Sequence, residues 1–186
     1  MTTSRARAKA DRRAALLDAA ARLFAERGFE RVTLEEIGGA AGISGPAVYR
    51  HFAGKQAVLA AILIDASEGL LAGGRRVVTT VTDAATALTE LVAFHVEFAV
   101  QNAAVIRVQD RDLDSLADAD RRRVRTLQRT YVELWVGVLA ELDPDAGIAE
   151  LRSRAHAGFG LMNSTPHTVS VSRELLARMA LGALRA

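Results

Sequence analysis

Residues 33–55 read TLEEIGGAAGISGPAVYRHFAGK, and the fold turns on this stretch. Thr33 followed three residues later by Glu36 is a capping box: the Thr33 hydroxyl accepts from the Glu36 amide while the Glu36 carboxylate reaches back to the Thr33 N–H. A short helix is expected from Leu34 to about Ala41. Gly42 then permits a backbone reversal, Ile43 supplies an apolar plug, and Ser44 is placed to cap a second short helix running through Val48 to about Phe52. Ile37, Ala41, Ile43, Val48 and Phe52 fall where two crossed helices must touch. The reading is helix, tight turn, helix, with Gly45, Pro46, Ala47, Tyr49, Arg50 and His51 left on the outer face of the second helix.

Upstream, Leu16, Leu17, Ala20, Leu23 and Phe24 recur at helical spacing and predict a helix from about Asp11 to Arg27, stopped by Gly28. Downstream, helical patterning predicts Lys55 to about Leu71, with Gly73-Gly74 weakening or ending it. Further helices are expected at Ala84 to Asn102, Ala104 to Arg111, Asp118 to Leu142, Ile148 to Met162 and Ser172 to Leu184. No alternating strand pattern interrupts them. The expected fold is all-α with about nine helices, a helix-turn-helix domain over 1–56 and a helical domain over 57–186.

The chain has 186 residues, half of them hydrophobic, which is enough for a sizeable core. It has no cysteine, so disulfides, thiolate metal sites and cysteine nucleophiles are excluded. Charge is uneven: residues 1–60 carry 10 Lys plus Arg against 6 Asp plus Glu, whereas residues 61–186 carry 14 against 16. A basic end around a compact helical motif points to nucleic acid. Arg5, Arg7, Lys9, Arg12 and Arg13 read either as a solvated tail or as an arm that tracks phosphates. The basic N-terminus is not followed by an uninterrupted apolar run, and charges are expected to break every later apolar stretch well short of a membrane span.

The stretch from Leu16 to Leu59, LLDAAARLFAERGFERVTLEEIGGAAGISGPAVYRHFAGKQAVL, resembles the DNA-binding domain of the tetracycline-repressor (TetR) family. The matching features are Leu23-Phe24, Gly28-Phe29, Thr33, Ala-Gly-Ile-Ser at 41–44, Tyr49, His51-Phe52 and Lys55. The resemblance implies a cytoplasmic transcription regulator that binds a pseudo-palindromic operator as a homodimer and releases it when a small apolar or amphipathic effector binds. It implies phosphate contacts from Thr33, Tyr49, His51 and Lys55, and base or nearby contacts from Ser44, Gly45, Pro46, Ala47 and Arg50. Physical chemistry agrees with these roles. A helix N-terminus and a lysine suit phosphates, and a guanidinium can bond both O6 and N7 of guanine. The sequence departs from the family at Gly45, where a long polar residue is frequent, and at Pro46, where small residues are frequent. Few polar base contacts are therefore expected, with more reliance on van der Waals fit and DNA shape.

By the same resemblance the last two helices dimerise, through Ala155 and Met162 on one and Leu175, Leu176, Met179 and Ala183 on the other. Candidate effector contacts are His95, Phe98, Arg107, Gln109, Tyr131, Trp135, Phe159, Asn163 and His167, which mix apolar walls with a few polar groups. Each has a plainer reading, Trp135 and Phe98 as core and His95 as a hydrogen-bonded interior residue.

Other chemistries find little support. Asp110, Asp112 and Asp114 imitate the start of a calcium loop, but Ser115 stands where the turn needs glycine and Arg121 where the bidentate glutamate belongs. The run Arg121, Arg122, Arg123, Arg125 and Arg129 follows Asp118 and Asp120 and reads as a solvated face. The sequence has no nucleophile elbow, phosphate loop or zinc-protease helix, and its four histidines lack ligand spacing. No cofactor, metal or membrane partner is expected. The alternatives to a regulator are a non-catalytic helical interaction module and an enzyme.

Overall fold

The computed structural model describes residues 4–167 and 172–186, apart from the side chains of Ser4, Arg5, Gly45 and Pro46. Among the described residues there are nine α-helices and no strand. They are α1 (Ser4–Arg27), α2 (Leu34–Ala40), α3 (Gly45–Val48), α4 (Lys55–Thr80), α5 (Ala84–Gln101), α6 (Ala103–Asp112), α7 (Asp118–Leu142), α8 (Ile148–Met162) and α9 (Arg173–Leu184). Contacts group the chain into two compact units, Met1–Asp65 with Arg107–Arg123, and Ala66–Ile106 with Val124–Ala186. The boundary expected at 56/57 marks the end of the motif. The contact grouping instead takes in the first turns of α4 and the segment 107–123, whose Val108 and Leu116 are buried.

In the first unit α1 packs on α2 and α2 on α3. Leu16, Phe24, Phe29, Val32, Ile37, Val48, Phe52 and Leu59 form its buried interior. α1 begins at Ser4 rather than near Asp11, because SRARAKADRRAA is rich in alanine and arginine and contains no breaker. The basic segment is therefore helical from Ser4 onward. Arg7, Lys9 and Arg12 are exposed on it, while Arg13 is ion-paired with Asp65 at 2.8 Å and stands over the Phe52 ring. The side chain of Arg5 lies outside the described residues.

In the second unit α9 packs on α8 and α5. Leu88, Leu91, Trp135, Leu139, Leu151, Met162 and Leu184 fill the core between these helices and α7. α4 does not stop at Gly73-Gly74 but continues to Thr80. The two glycines are needed for close approach: a Cβ on Gly73 would stand 2.1 Å from the Phe94 ring and one on Gly74 2.7 Å from the Tyr131 ring.

α4 also passes, by length and composition, as a helix able to cross a membrane, with an 18-residue window of mean hydropathy 1.6. This corrects the expectation that charge interrupts every apolar stretch, since Asp65 and Glu68 are too few to do so. More than half of that window, 56 %, is buried inside the protein, as befits a core helix.

Candidate functional site

The helix-turn-helix is assembled by local chemistry. The Thr33 hydroxyl accepts from the Glu36 N–H at 3.2 Å and the Thr33 N–H donates to the Glu36 carboxylate at 2.8 Å, which closes the capping box. Arg27 adds an ion pair to Glu36 at 2.6 Å. The Thr33 backbone N–H, followed by Arg27, holds the Glu36 carboxyl below its ordinary pKa. Gly42 takes φ 66° at the turn, a conformation that glycine adopts without strain. Gly38 lets α3 cross α2 closely, because a Cβ there would lie 2.7 Å from Val48 Cγ2 and 2.8 Å from the Ile43 carbonyl oxygen.

α3 is one turn long, shorter than the expected run to Phe52, and the chain continues as turns through His51. Ser44 occupies the N-cap position without a side-chain cap bond. With Pro46 among the first helical residues, there are few amide donors for it to accept from. The predicted contact residues nonetheless gather on this one element and its flanks. Ser44, Tyr49 and Arg50 are exposed, Ala47 and His51 are half-buried, and Thr33 stands exposed at the start of α2. The side chains of Gly45 and Pro46 lie outside the described residues. Tyr49 is 55 % exposed and its hydroxyl donates to Glu35 at 3.3 Å, an exposed bond that a phosphate oxygen can replace. Among the described residues Arg50 has no hydrogen-bond or ion-pair partner. Lys55, the first residue of α4, donates to the Glu30 carbonyl at 3.2 Å and sits 4.4 Å from the centre of the Phe29 ring.

A second feature of this unit escaped sequence reading. Arg111, on the last turn of α6, donates to the carbonyls of Phe24 and Ala25 at the C-terminal end of α1. It is also bonded through two nitrogens to the buried Asp112, at 3.1 and 3.0 Å. These carbonyls lie in the last turn of α1, where intrahelical partners run short; that of Phe24 also accepts from the Gly28 N–H at 2.8 Å, and the guanidinium adds a C-cap from a distant part of the chain. Asp112, the middle acid of the discarded calcium-like motif, is thus explained as its counter-ion.

In the second unit His95, Phe98, Tyr131, Trp135, Phe159 and Asn163 come together. The rings of His95, Tyr131, Trp135 and Phe159 lie 5.0 to 6.0 Å apart, centre to centre, and Phe98 is 6.3 Å from His95. His95 Nε2 donates to Asn163 Oδ1 at 3.0 Å, which leaves Nδ1 to accept from the Tyr131 hydroxyl at 3.2 Å. Burial lowers the His95 pKa to about 4, against a smaller opposing pull from Asn163, so the ring is neutral at pH 7. Burial raises the Tyr131 pKa, with a weaker counter-effect from the nearby Trp135 indole. The indole N–H itself has no acceptor among the described residues. Arg107 and Gln109 belong to the first unit, not to this nest. His167 is exposed in the 3-10 turn Thr165–His167.

The candidate interface residues divide. Ala155, Met162 and Leu176 are buried in the core of the second unit, where α8 meets α9, and have little or no surface to offer a partner. Leu175 and Met179 are exposed by 48 and 51 %, and Ala183 is half-buried. The apolar pattern of α9 had combined the face turned toward α8 with the face turned outward. Among the described residues no cluster of three or more His, Asp or Glu has the arrangement of a metal site.

Residues 16–62 match the sequence model described as bacterial regulatory proteins, tetR family, and residues 81–167 match that of the tetracyclin repressor-like C-terminal domain. The chain belongs to the TetR family. Among TetR relatives, the chain is 35 % identical over 132 residues to the HTH-type transcriptional repressor KstR2 of Rhodococcus jostii RHA1, which covers 70 % of the chain and 65 % of that protein. The match thus spans less than two thirds of the relative's length. A TetR-family transcriptional regulator from Bordetella parapertussis superimposes with a TM-score of 0.83 at 25 % identity, covering 92 % of this chain and 93 % of the other. The structure of AibR in complex with isovaleryl coenzyme A and operator DNA superimposes with a TM-score of 0.78 at 17 % identity, covering 93 and 97 %. At that identity the likeness is one of fold.

Proposed function

We propose that this TetR-family chain is a non-catalytic transcription repressor of the cytoplasm that binds a pseudo-palindromic operator as a homodimer and is released by a small effector. The observation that carries this reading is the exposed surface on and around α3. Tyr49 and Arg50 project from a turn braced by the capping box of Thr33 and Glu36 and by the close crossing at Gly38. A helix of one turn enters a major groove only at its tip, so the flanks must hold phosphates. In this reading Thr33, Tyr49, His51 and Lys55 hold them, and Arg50 reads a base with Ser44, Gly45, Pro46 and Ala47 close to the groove floor. Two such heads on successive grooves require a dimer, for which Leu175, Met179 and Ala183 on α9 are the outward-facing candidates. Functionally, residues 1–56 form the reading head and 57–186 the regulatory part.

The effector belongs to the second unit, at the nest of His95, Phe98, Tyr131, Trp135, Phe159 and Asn163. The rings fill this nest in the present structure, so an apolar or amphipathic molecule enters by displacing the half-buried Phe98 or Phe159. The AibR complex with a coenzyme A thioester makes acyl thioesters a first class to try.

The reading is tested by selecting binding sites from random duplexes with the purified protein. Two inverted half-sites about one helical turn apart, or a multiple of it, are expected. Recovery of no sequence preference overturns it.

A further inference from the structure

We propose that the groove between α7 and α8 is a binding site for the anionic head of an amphipathic small molecule, whose apolar body enters the neighbouring aromatic nest. The proposal deepens the effector reading above and rests on it. The groove has a volume of about 520 Å³, well inside the range of small-molecule sites. From α7 it is lined by Arg125, Gln128, Arg129, Val132 and Glu133, and from α8 by Arg152 and His156.

Charge comes first. Three guanidinium groups face a single carboxylate, and both oxygens of that carboxylate, on Glu133, are bonded by Arg152 at 2.8 and 3.1 Å. Arg129 and His156 add weaker attraction to the same carboxylate. Arg129 on α7 and Arg152 on α8 thus bring two guanidinium groups to a concavity whose lining holds one carboxylate. Arg121, earlier on α7, is paired with Asp118 at 2.5 Å and does not line the groove. Arg125 and Arg129, exposed like Arg122 and Arg123, line this groove together with Arg152 and His156 from another helix.

A buried donor points the same way. The side-chain nitrogen of Gln128 is buried and has no acceptor among the described residues. An unmade hydrogen bond of this kind disfavours the unoccupied state, and an anionic oxygen in the groove supplies the acceptor while meeting the arginines in charge-assisted bonds.

Geometry then joins the groove to the nest. Gln128 and Val132 are one helical turn from Tyr131 and Trp135 on α7, and His156 is three residues from Phe159 on α8 and seven from Asn163, the residue that caps its end. Residues three, four and seven apart share a helix face. The same pair of helices therefore presents cationic and donor groups at one level and stacked rings at the next. The matching ligand has a phosphate or carboxylate at one end and an apolar body at the other.

Trp135 is the sole tryptophan of the chain and sits in the nest, so its emission reports binding directly. The probes are dodecyl phosphate and dodecanol, titrated below the micellar range, with inorganic phosphate as competitor. Dodecyl phosphate is expected to change the emission saturably and to bind at least tenfold more tightly than dodecanol. Inorganic phosphate is expected to weaken its apparent affinity. Arg125→Ala/Arg129→Ala is expected to lose at least tenfold for dodecyl phosphate and nothing for dodecanol. Arg129→Gln serves if the double variant fails to fold by circular dichroism, with a loss of at least threefold. Equal binding of the phosphate and the alcohol, or an unchanged affinity in a folded arginine variant, overturns the groove. Operator release is scored separately. Saturable, arginine-dependent binding that leaves the operator complex intact upholds the groove and overturns the effector reading beneath it.

Discussion

Arg50 and Lys55 belong to opposite ends of the same motif, and their environments set different consequences for losing them. Arg50 is exposed with no partner among the described residues, so its guanidinium is available to the groove floor without breaking an internal bond. Lys55 already has its ammonium on the Glu30 carbonyl and the Phe29 ring, and in the proposed complex it would reach a phosphate by exchanging one polar contact for another. Lys55→Ala should weaken binding to every duplex alike and reduce the salt slope by about 1. Arg50→Ala should cost about 1–3 kcal/mol and relax preference at one base position. Anisotropy titrations against a panel of single-base variants separate the two. Equal effects on all sequences from Arg50→Ala would assign it to a phosphate.

His95 contributes a pH dependence to the second unit. Its folded pKa, about 4, lies below the value of about 6.5 expected for an unfolded chain. Below pH 6.5 the unfolded state therefore binds the proton first, and stability falls as pH drops toward 4 and then levels off. The loss over that window is about 3 kcal/mol. In urea unfolding at pH 7 and pH 4.5, His95→Gln should show a smaller decline than the unmodified protein. An identical decline would place the acid sensitivity elsewhere.

At the scale of elements, α2 offers a paired test. Gly38 and Gly39 are neighbours in one helix, and an alanine at either gains about 1 kcal/mol of helix propensity. At Gly39 nothing lies within 4 Å of the new Cβ, so Gly39→Ala should be stabilising by that amount. At Gly38 the Cβ meets the Ile43 carbonyl oxygen at 2.8 Å. Backbone there cannot rotate away, so overpacking of about 1–3 kcal/mol outweighs the propensity and Gly38→Ala is destabilising. Thermal unfolding of the two variants, compared with operator affinity, checks both signs.

The same element shows what sequence could and could not reveal. Capping, reversal and apolar spacing from Thr33 to Phe52 are local, and the motif was legible because each residue's role is settled within a few neighbours. The length of α3 was not, since turns through His51 satisfy the same spacing as helix. Gly73-Gly74 looked like a helix end because a glycine pair has that meaning locally. Only the rings of Phe94 and Tyr131, distant in sequence, reveal the close approach. Arg111 and the α7–α8 groove were missed for the same reason: their partners, the α1 carbonyls and Arg152 with His156, come from other segments. The nest was half legible, because aromatic residues identify themselves but nothing in sequence groups Trp135 with Phe159 rather than with Arg107.

For the whole molecule, the proposed operator binding through a one-turn helix makes affinity depend on pairing two heads. Leu175 and Met179 are large, apolar and outward-facing, and such residues are commonly covered by a partner. Leu175→Glu/Met179→Glu should yield a folded monomer in sedimentation and lower operator affinity by about two orders of magnitude, as the second head loses its tethering. A dimer that persists would move the interface elsewhere.

Operator recognition itself is tested most directly by anisotropy with the duplex upstream of this protein's own gene, against random duplex at the same salt. Binding at about 10⁻⁸ M, at least a thousandfold tighter than to random DNA and falling steeply with salt, is the expected result. Equal affinity for the two duplexes across neighbouring promoters would contradict a sequence-reading regulator.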